Sequence, residues 1–333
     1  MRVLLGLCSS RLPCHPTTRF LSRRCMSVRP EDNPAAAPRR KVTIEHLHKL
    51  RRAGTPITML TAYDFPTARA CDAHGVDITL VGDSLAQVCL GLPSTTRLTL
   101  PEMVHHTRAV ARGTTAPLLV ADMPFGTYHA SPADAVRSAV RLVRDGRAEA
   151  VKLEGGSEVV PAVRALTAAG IPVMAHVGLL PQRHAMLSGY RVQGRDAPAA
   201  LALLRAALAL EDAGAFAVVL EAVPHPLAAY ITRRLRRAPT IGIGAGAETD
   251  GQVLVWDDVM GTWGGHQAKF VRRFADVAGA VEGGVKSYLQ AVRERTFPVA
   301  AESYEMAEGE LEKFMRLVEE EALLSSGVGE TES

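Results

Sequence analysis

A chain of 333 residues, 47% apolar and 22% charged, has the balance of a soluble globular protein with a sizeable core, enough for one large domain or two ordinary ones. A formal net charge of +3, much of the positive charge lying in one terminal segment, gives no case for nucleic acid, and no apolar run approaches the roughly 20 residues a membrane span needs. Cys8, Cys14 and Cys25 fall in that terminal segment, while Cys71 and Cys89 have neither metal-ligand nor disulfide-framework spacing, which suits a reducing compartment.

The chain opens on MRVLLGLCSSRLPCHPTTRFLSRRCMSVRP, with six arginines, several Ser and Thr, and no acid before Glu31, the make-up of an amphipathic organellar transit peptide. A secretory signal fits less well, because VLLGL is short and arginines run throughout; a disordered basic arm is the plainer alternative. Residues 1–40 are read as transit peptide and flexible leader, with the mitochondrial matrix as the expected address. Residues 41–298 form the catalytic body, and 299–333 carry one acidic helical pattern, ESYEMAEGELEKFMRLVEEEALL, and a polar tail.

The body begins with a helix from Thr43 and then alternates short strand patterns with Ala-rich amphipathic ones such as SPADAVRSAVRLVRDG. The strand patterns are TMLTAYD, ITLVGDS, PLLVADM, AVKLEG, PVMAHVG, AVVLEAV, TIGIGAG and a weaker VLVWDD. Fully apolar strands separated by helices imply a parallel sheet covered by helices, and eight such units predict a (βα)8 TIM barrel preceded by a helix.

Four of the strand patterns close on a single acid: Asp83, Asp122, Glu154 and Glu221. The C-terminal ends of barrel strands face one mouth, where enzymes of this fold place their chemistry. Two-residue periodicity sends Lys152 and Glu154 to the barrel interior and Val151 and Leu153 toward the helices. Unpaired buried carboxylates are costly and one lysine cannot neutralise four, so the cluster calls for a cation. Oxygen ligands without a histidine pair or cysteine cluster favour a hard ion such as Mg²⁺. The plainer reading makes each acid a helix cap or structural ion pair.

In order and spacing, MLTAYD, LVGDSL, LLVADMPF, AVKLEGG, AHVGLLPQ, GYRVQGR, LEAVP, IGIGAGAETDGQ and GGHQAKF resemble the ketopantoate hydroxymethyltransferase (3-methyl-2-oxobutanoate hydroxymethyltransferase) family, over Thr43 to Pro298. The resemblance implies a barrel of the phosphoenolpyruvate/pyruvate superfamily type, assembled as a homo-oligomer, usually a decamer. It also implies transfer of a hydroxymethyl group from 5,10-methylenetetrahydrofolate to 3-methyl-2-oxobutanoate, giving 2-dehydropantoate (ketopantoate) for pantothenate biosynthesis. By the same resemblance Asp83 and Asp122 bind Mg²⁺, Glu154 is linked to it, and Ser84, Lys152 and His176 join the two aspartates in contacting the 2-oxo acid. Glu221 matches the catalytic base. The chain departs from the usual pattern at Ala86, Gln87, Pro93 and Ala268.

The chemistry is coherent in its own right: an ion held by the acids polarises the keto group of a 2-oxo acid and stabilises the enolate left when a base takes the C3 proton. Three alternatives remain at this level. A metal-dependent carbon-carbon lyase or phosphomutase would use the same acids, but normally with a cysteine-bearing loop that is missing after the fourth strand. A Schiff-base aldolase would be built on Lys152, and a non-catalytic barrel would leave the inward acids without a purpose. IGIGAGA matches a dinucleotide fingerprint, yet as the seventh strand of a repeating barrel its glycines are better read as permitting close backbone approach. GYRVQGR, with Tyr190, Gln193 and Arg195, is a polar connection suited to a lid or an oligomer contact.

Overall fold

The computed structural model describes residues 39–265 and 267–326, and the expected transit peptide lies outside them apart from its last two residues. Within that range the apolar runs become strands β1 Ile57–Thr61, β2 Ile78–Val81, β3 Leu118–Asp122, β4 Ala150–Glu154, β5 Val173–Gly178, β6 Ala217–Glu221, β7 Thr240–Ile243 and β8 Gly251–Leu254. Each pairs in parallel with the next, and β8 pairs with β1, from Ile57 with Gly251 to Leu60 with Leu254, closing a barrel. The helices are α1 Ile44–Arg52, α2 Phe65–Ala73, α3 Leu85–Val88, α4 Leu100–Gly113, α5 Pro132–Arg144, α6 Val160–Ala168, α7 Ala197–Asp212, α8 His225–Arg234, α9 Trp256–Met260, α10 Val277–Arg293 and α11 Glu310–Ser326. The expected leading helix is α1, begun by Thr43, whose hydroxyl accepts from the His46 amide.

Side-chain alternation divides the core in two. Val151, Leu153, Ala175 and Leu220 face outward and pack under the helices. Met59, Leu80, Val120, Met174, Val219 and Ile241 fill the barrel interior, closed from below by Leu47 of α1. The apolar filling stops one layer short of the mouth, where the inward positions become Asp122, Lys152, Glu154, His176 and Glu221. Strand register makes neighbours of these groups: Asp122 lies beside Lys152, and Glu154 beside His176.

Several expected strands end early. β2 stops at Val81, so Asp83 sits on a turn after Gly82, where a side chain at position 82 would press within 2.8 Å of the Ser84 hydroxyl. The weak VLVWDD pattern yields β8 only through Leu254, and Trp256, Asp257 and Asp258 begin α9 instead. The acidic pattern of the tail becomes helical only from Glu310, after Gly309 takes a left-handed conformation (φ 77°).

One wall of the barrel differs from the rest. The outward residues of β2 to β5 are fully buried, whereas Thr58 of β1 and Gln252 of β8 are exposed and Leu60 and Leu254 half-buried. After α9 the chain leaves the sheet, and α10 buries none of its residues. Val281, Val285, Tyr288, Leu289 and Val292 form an apolar stripe along it, open to solvent.

Candidate active site

All six polar residues singled out by the sequence at the barrel mouth, Asp83, Asp122, Lys152, Glu154, His176 and Glu221, line one cavity of about 560 Å³, together with Ser84. That volume is within the ordinary range for small-molecule sites. At its floor, Lys152 Nζ lies 2.8 Å from Asp122 Oδ1, both side chains almost wholly buried. Asp122 Oδ2 accepts from the Asp83 amide at 3.0 Å. His176 Nδ1 faces Lys152 Nζ at 3.4 Å, and its Nε2 lies 3.2 Å from Glu221 Oε2. A charged lysine can only donate, so Nδ1 is the acceptor and Nε2 carries the hydrogen, directed to the Glu221 side.

Burial and mutual repulsion set the electrostatics. Desolvation, reinforced by Asp122, pushes the Asp83 carboxyl up to about 7. Glu154 is raised well above its ordinary value by burial and by Asp83. Burial works against the charge on Lys152 as well, yet Asp122, Glu154 and Asp83 around it hold its pKa above the ordinary lysine range. His176 is pushed down, by burial and then by Lys152, and is neutral. A Schiff-base lysine needs a depressed pKa, so this environment counts against an aldolase built on Lys152.

The arrangement fits a divalent ion. Beyond the Lys152 ammonium at 2.8 Å, buried Asp122 Oδ1 has no hydrogen-bond partner, and a carboxylate oxygen has lone pairs to spare. A buried oxygen with that capacity left over marks a place for an ion or ligand. Asp83 offers a second carboxylate, one oxygen of which is held by Gln182 Nε2 at 2.9 Å. Glu154 is more committed, its Oε2 accepting from the Gln182 amide at 3.0 Å. Among the described residues no three or more His, Cys, Asp or Glu side chains form a ready-made metal cage. Two aspartates with the remaining positions left to water and substrate is the pattern expected of Mg²⁺ rather than of a closed structural site.

Glu221 is placed differently from the other acids. Its side chain is 15% exposed, against 3% for Asp122 and 2% for Glu154, so it opens into the cavity. The backbone holds it there: Ala222 takes a left-handed conformation (φ 46°), unusual outside glycine. The Ala222 amide donates to Ile243, and its carbonyl accepts from Gln193 of the GYRVQGR connection at 2.9 Å. That connection thereby reaches the mouth, where Tyr190, Arg191 and Val192 line the cavity. Gly178, at φ 102°, is required beside it, since a Cβ there would run into the Glu221 carbonyl.

Sequence reasoning missed two groups that organise the acids. Gln182, in a 3-10 turn at Pro181–Arg183, joins Asp83 to Glu154 and also donates to the Met123 carbonyl at 3.0 Å. Tyr128 donates to Gln182 Oε1 at 2.7 Å, fixing which way the amide points. Tyr63 and Thr61 play a lesser part, linking Ser84 to the Trp256 amide through a chain of hydroxyls.

Residues 41–300 match the family model described as ketopantoate hydroxymethyltransferase. The chain belongs to the ketopantoate hydroxymethyltransferase family. It is 45% identical over 321 residues to a 3-methyl-2-oxobutanoate hydroxymethyltransferase of Emericella nidulans, covering 94% of this chain and 92% of the relative. To the protein of the same description from Oleidesulfovibrio alaskensis it is 54% identical over 254 residues, 76% of this chain and 88% of the relative. The fold alone is shared with 2,3-dimethylmalate lyase, a PEP mutase/isocitrate lyase superfamily member, at TM-score 0.50 and 18% identity over 85% of this chain and 98% of that one. Family membership and a closed (βα)8 barrel are thus as expected from the segments MLTAYD to GGHQAKF.

Proposed function

We propose that the chain transfers a hydroxymethyl group to 3-methyl-2-oxobutanoate, with Mg²⁺ at Asp83 and Asp122 and 5,10-methylenetetrahydrofolate as one-carbon donor. Family membership supports the reaction; the division of labour among the acids supports the mechanism. Asp83 and Asp122 present oxygens beside Lys152 at the floor, while Glu221, the most exposed of the four strand-end acids, opens to the same cavity. An ion bound by the aspartates, with Glu154 linked to it directly or through water, would supply Lewis acidity to the keto group of the oxo acid. Lys152 and Ser84 would hold its carboxylate and keto oxygens, and the Nε2–H of neutral His176 would face the same oxygens or Glu221. Glu221 would take the C3 proton, leaving C3 as the nucleophile for the donor's methylene carbon; both carbon-nitrogen bonds of that methylene break, one water supplies the product's hydroxyl, and the C3 proton and the water's second proton end on the two nitrogens of the departing tetrahydrofolate.

The test is deuterium exchange. In D₂O with Mg²⁺, 3-methyl-2-oxobutanoate and no folate, the C3 proton signal is expected to fade in the presence of the protein and to persist with Glu221→Gln. Exchange unaffected by that substitution would assign the base elsewhere. A lyase on the same barrel would instead cleave a carbon-carbon bond of the oxo acid, with no requirement for folate.

Two further features belong to the same proposal. The open apolar stripe of α10 supports a homo-oligomer, for which the family resemblance suggests a decamer, measurable by light scattering. The Arg-rich, acid-free leader supports mitochondrial import; a reporter fused to residues 1–40 that stays in the cytosol would refute it.

A further inference from the structure

The floor of the cavity accounts for a small branched oxo acid and leaves most of about 560 Å³ beyond it. The outer wall has a different chemistry. Tyr190, Trp263 and Phe270 line it, and they remain 57%, 47% and 37% exposed. Each is nevertheless held in place. The Trp263 side chain is hydrogen-bonded to Asp258, its carbonyl accepts from Arg273 Nη2 at 3.1 Å, and its ring lies over Gly265, where a Cβ would come within 2.6 Å. Phe270 rests on Gly244, where φ is +63° and a Cβ would approach the ring to 2.8 Å. The glycines of IGIGAGA thus serve close approach to a neighbour. Tyr190 is hydrogen-bonded to Gln87 and stacks on His184 at 6.0 Å between ring centroids and an angle of 11°. Arg191 and Lys269 stand on the same wall, exposed, and among the described residues neither has an acid partner.

Fixed, solvent-facing aromatic rings together with unpaired cations match a ligand with a flat conjugated ring system and an anionic tail. Resting on the function proposed above, we propose that this wall docks the one-carbon donor: its pterin ring packs among Tyr190, Trp263 and Phe270, and its glutamate tail extends to Arg191 and Lys269. One cavity then brings the donor's methylene carbon to C3 of the oxo acid held on the floor.

The experiment uses the full chain and two probes, tetrahydrofolate and its triglutamate, titrated calorimetrically, with folate-free C3 exchange run on the same preparations. Trp263→Ala is expected to weaken binding of both probes about tenfold, as for the loss of one stacking platform. The pair Arg191→Ala with Lys269→Ala is expected to remove most of the preference for the triglutamate and to flatten the salt dependence of its binding. Exchange at C3, which involves only the floor, reports that the barrel is intact. Variants that bind both probes as the parent does, with the parent's salt dependence, would overturn the docking wall and leave Tyr190 and its neighbours as an oligomer contact. A parent that neither exchanges nor binds folate would bring down the function itself. Should Trp263→Ala fail to fold, the two exposed cations decide the matter alone.

Discussion

The barrel carries buried and half-buried carboxylates at both ends, and the two groups are treated in opposite ways. At the N-terminal end, where loops enter the strands, Glu211 is 1% exposed and accepts from the amides of Arg236, Arg237 and Ala238. Asp72 accepts from the amides of Thr115 and Ala116, and Asp250 from that of Thr240. Burial opposes ionisation of Glu211 and Asp72, yet the amides on Glu211, and on Asp72 the Thr115 hydroxyl followed by the amides, hold both below the ordinary carboxylate range. At the mouth, Asp83 and Glu154 are raised instead, and Asp122 Oδ1 has the Lys152 ammonium beside it but no amide donor. The first set is part of the fold; the second is held against the fold's own preference, as befits groups reserved for a ligand.

The largest expected difference between the two sets comes from neutralising one acid in each. Asp83→Asn is expected to lower turnover by about a thousandfold or more, the scale of losing a preorganised electrostatic contact. In the ion-free protein the same change removes a carboxylate opposed by burial and by Asp122, and raises stability by about 1 kcal/mol, read from urea unfolding. Glu211→Ala should do the reverse, costing about 3 kcal/mol because backbone donors lose their partner, with turnover retained. A destabilised Asp83→Asn, or an inactive but stable Glu211→Ala, would erase the distinction.

Gln182 tests whether the mouth acids need support from their surroundings. Gln182→Leu, which removes the bonds to Asp83, Met123 and Tyr128, is expected to cost about tenfold in Mg²⁺ affinity, the usual effect of losing a group that orients a metal ligand. Calorimetric titration of the ion, apart from activity, is the measurement.

The smallest effect is in pH. Asp83 is raised from an ordinary 3.8 to about 7, so its contribution to stability is present below pH 4 and lost as pH climbs through 7; Glu154 moves the same way. Glu211, lowered from 4.5, has the opposite sign: its contribution is present above that value and lost in acid. Melting of the ion-free protein should therefore weaken on both sides of a maximum, with Asp83→Asn flattening the neutral limb and Glu211→Ala the acid one.

The barrel was legible because most of its strands carry short apolar runs rich in Val, Ile and Leu, and the two-residue period fixes which side chains enter it, as Lys152 and Glu154 illustrate. The acids were legible because each interrupts an apolar run at its end. Gln182 and Tyr128 were not: both stand in connections, and their partners lie far away in sequence, Asp83 at a separation of 99 residues and Tyr128 to Gln182 at 54. No local pattern encodes such a meeting. The end of β8 misled for a related reason, since α9 spans 5 residues and is too short to display a helical period.

The seam between β1 and β8 orders events in time. Thr61 Oγ1 accepts from the Trp256 amide across 195 residues of sequence, so the ring cannot shut until nearly the whole barrel has been synthesised. Every acid of the mouth leaves the ribosome before the strand that completes their enclosure. A chain whose last closure waits for β8 keeps two edges of its sheet unpaired until translation has passed it.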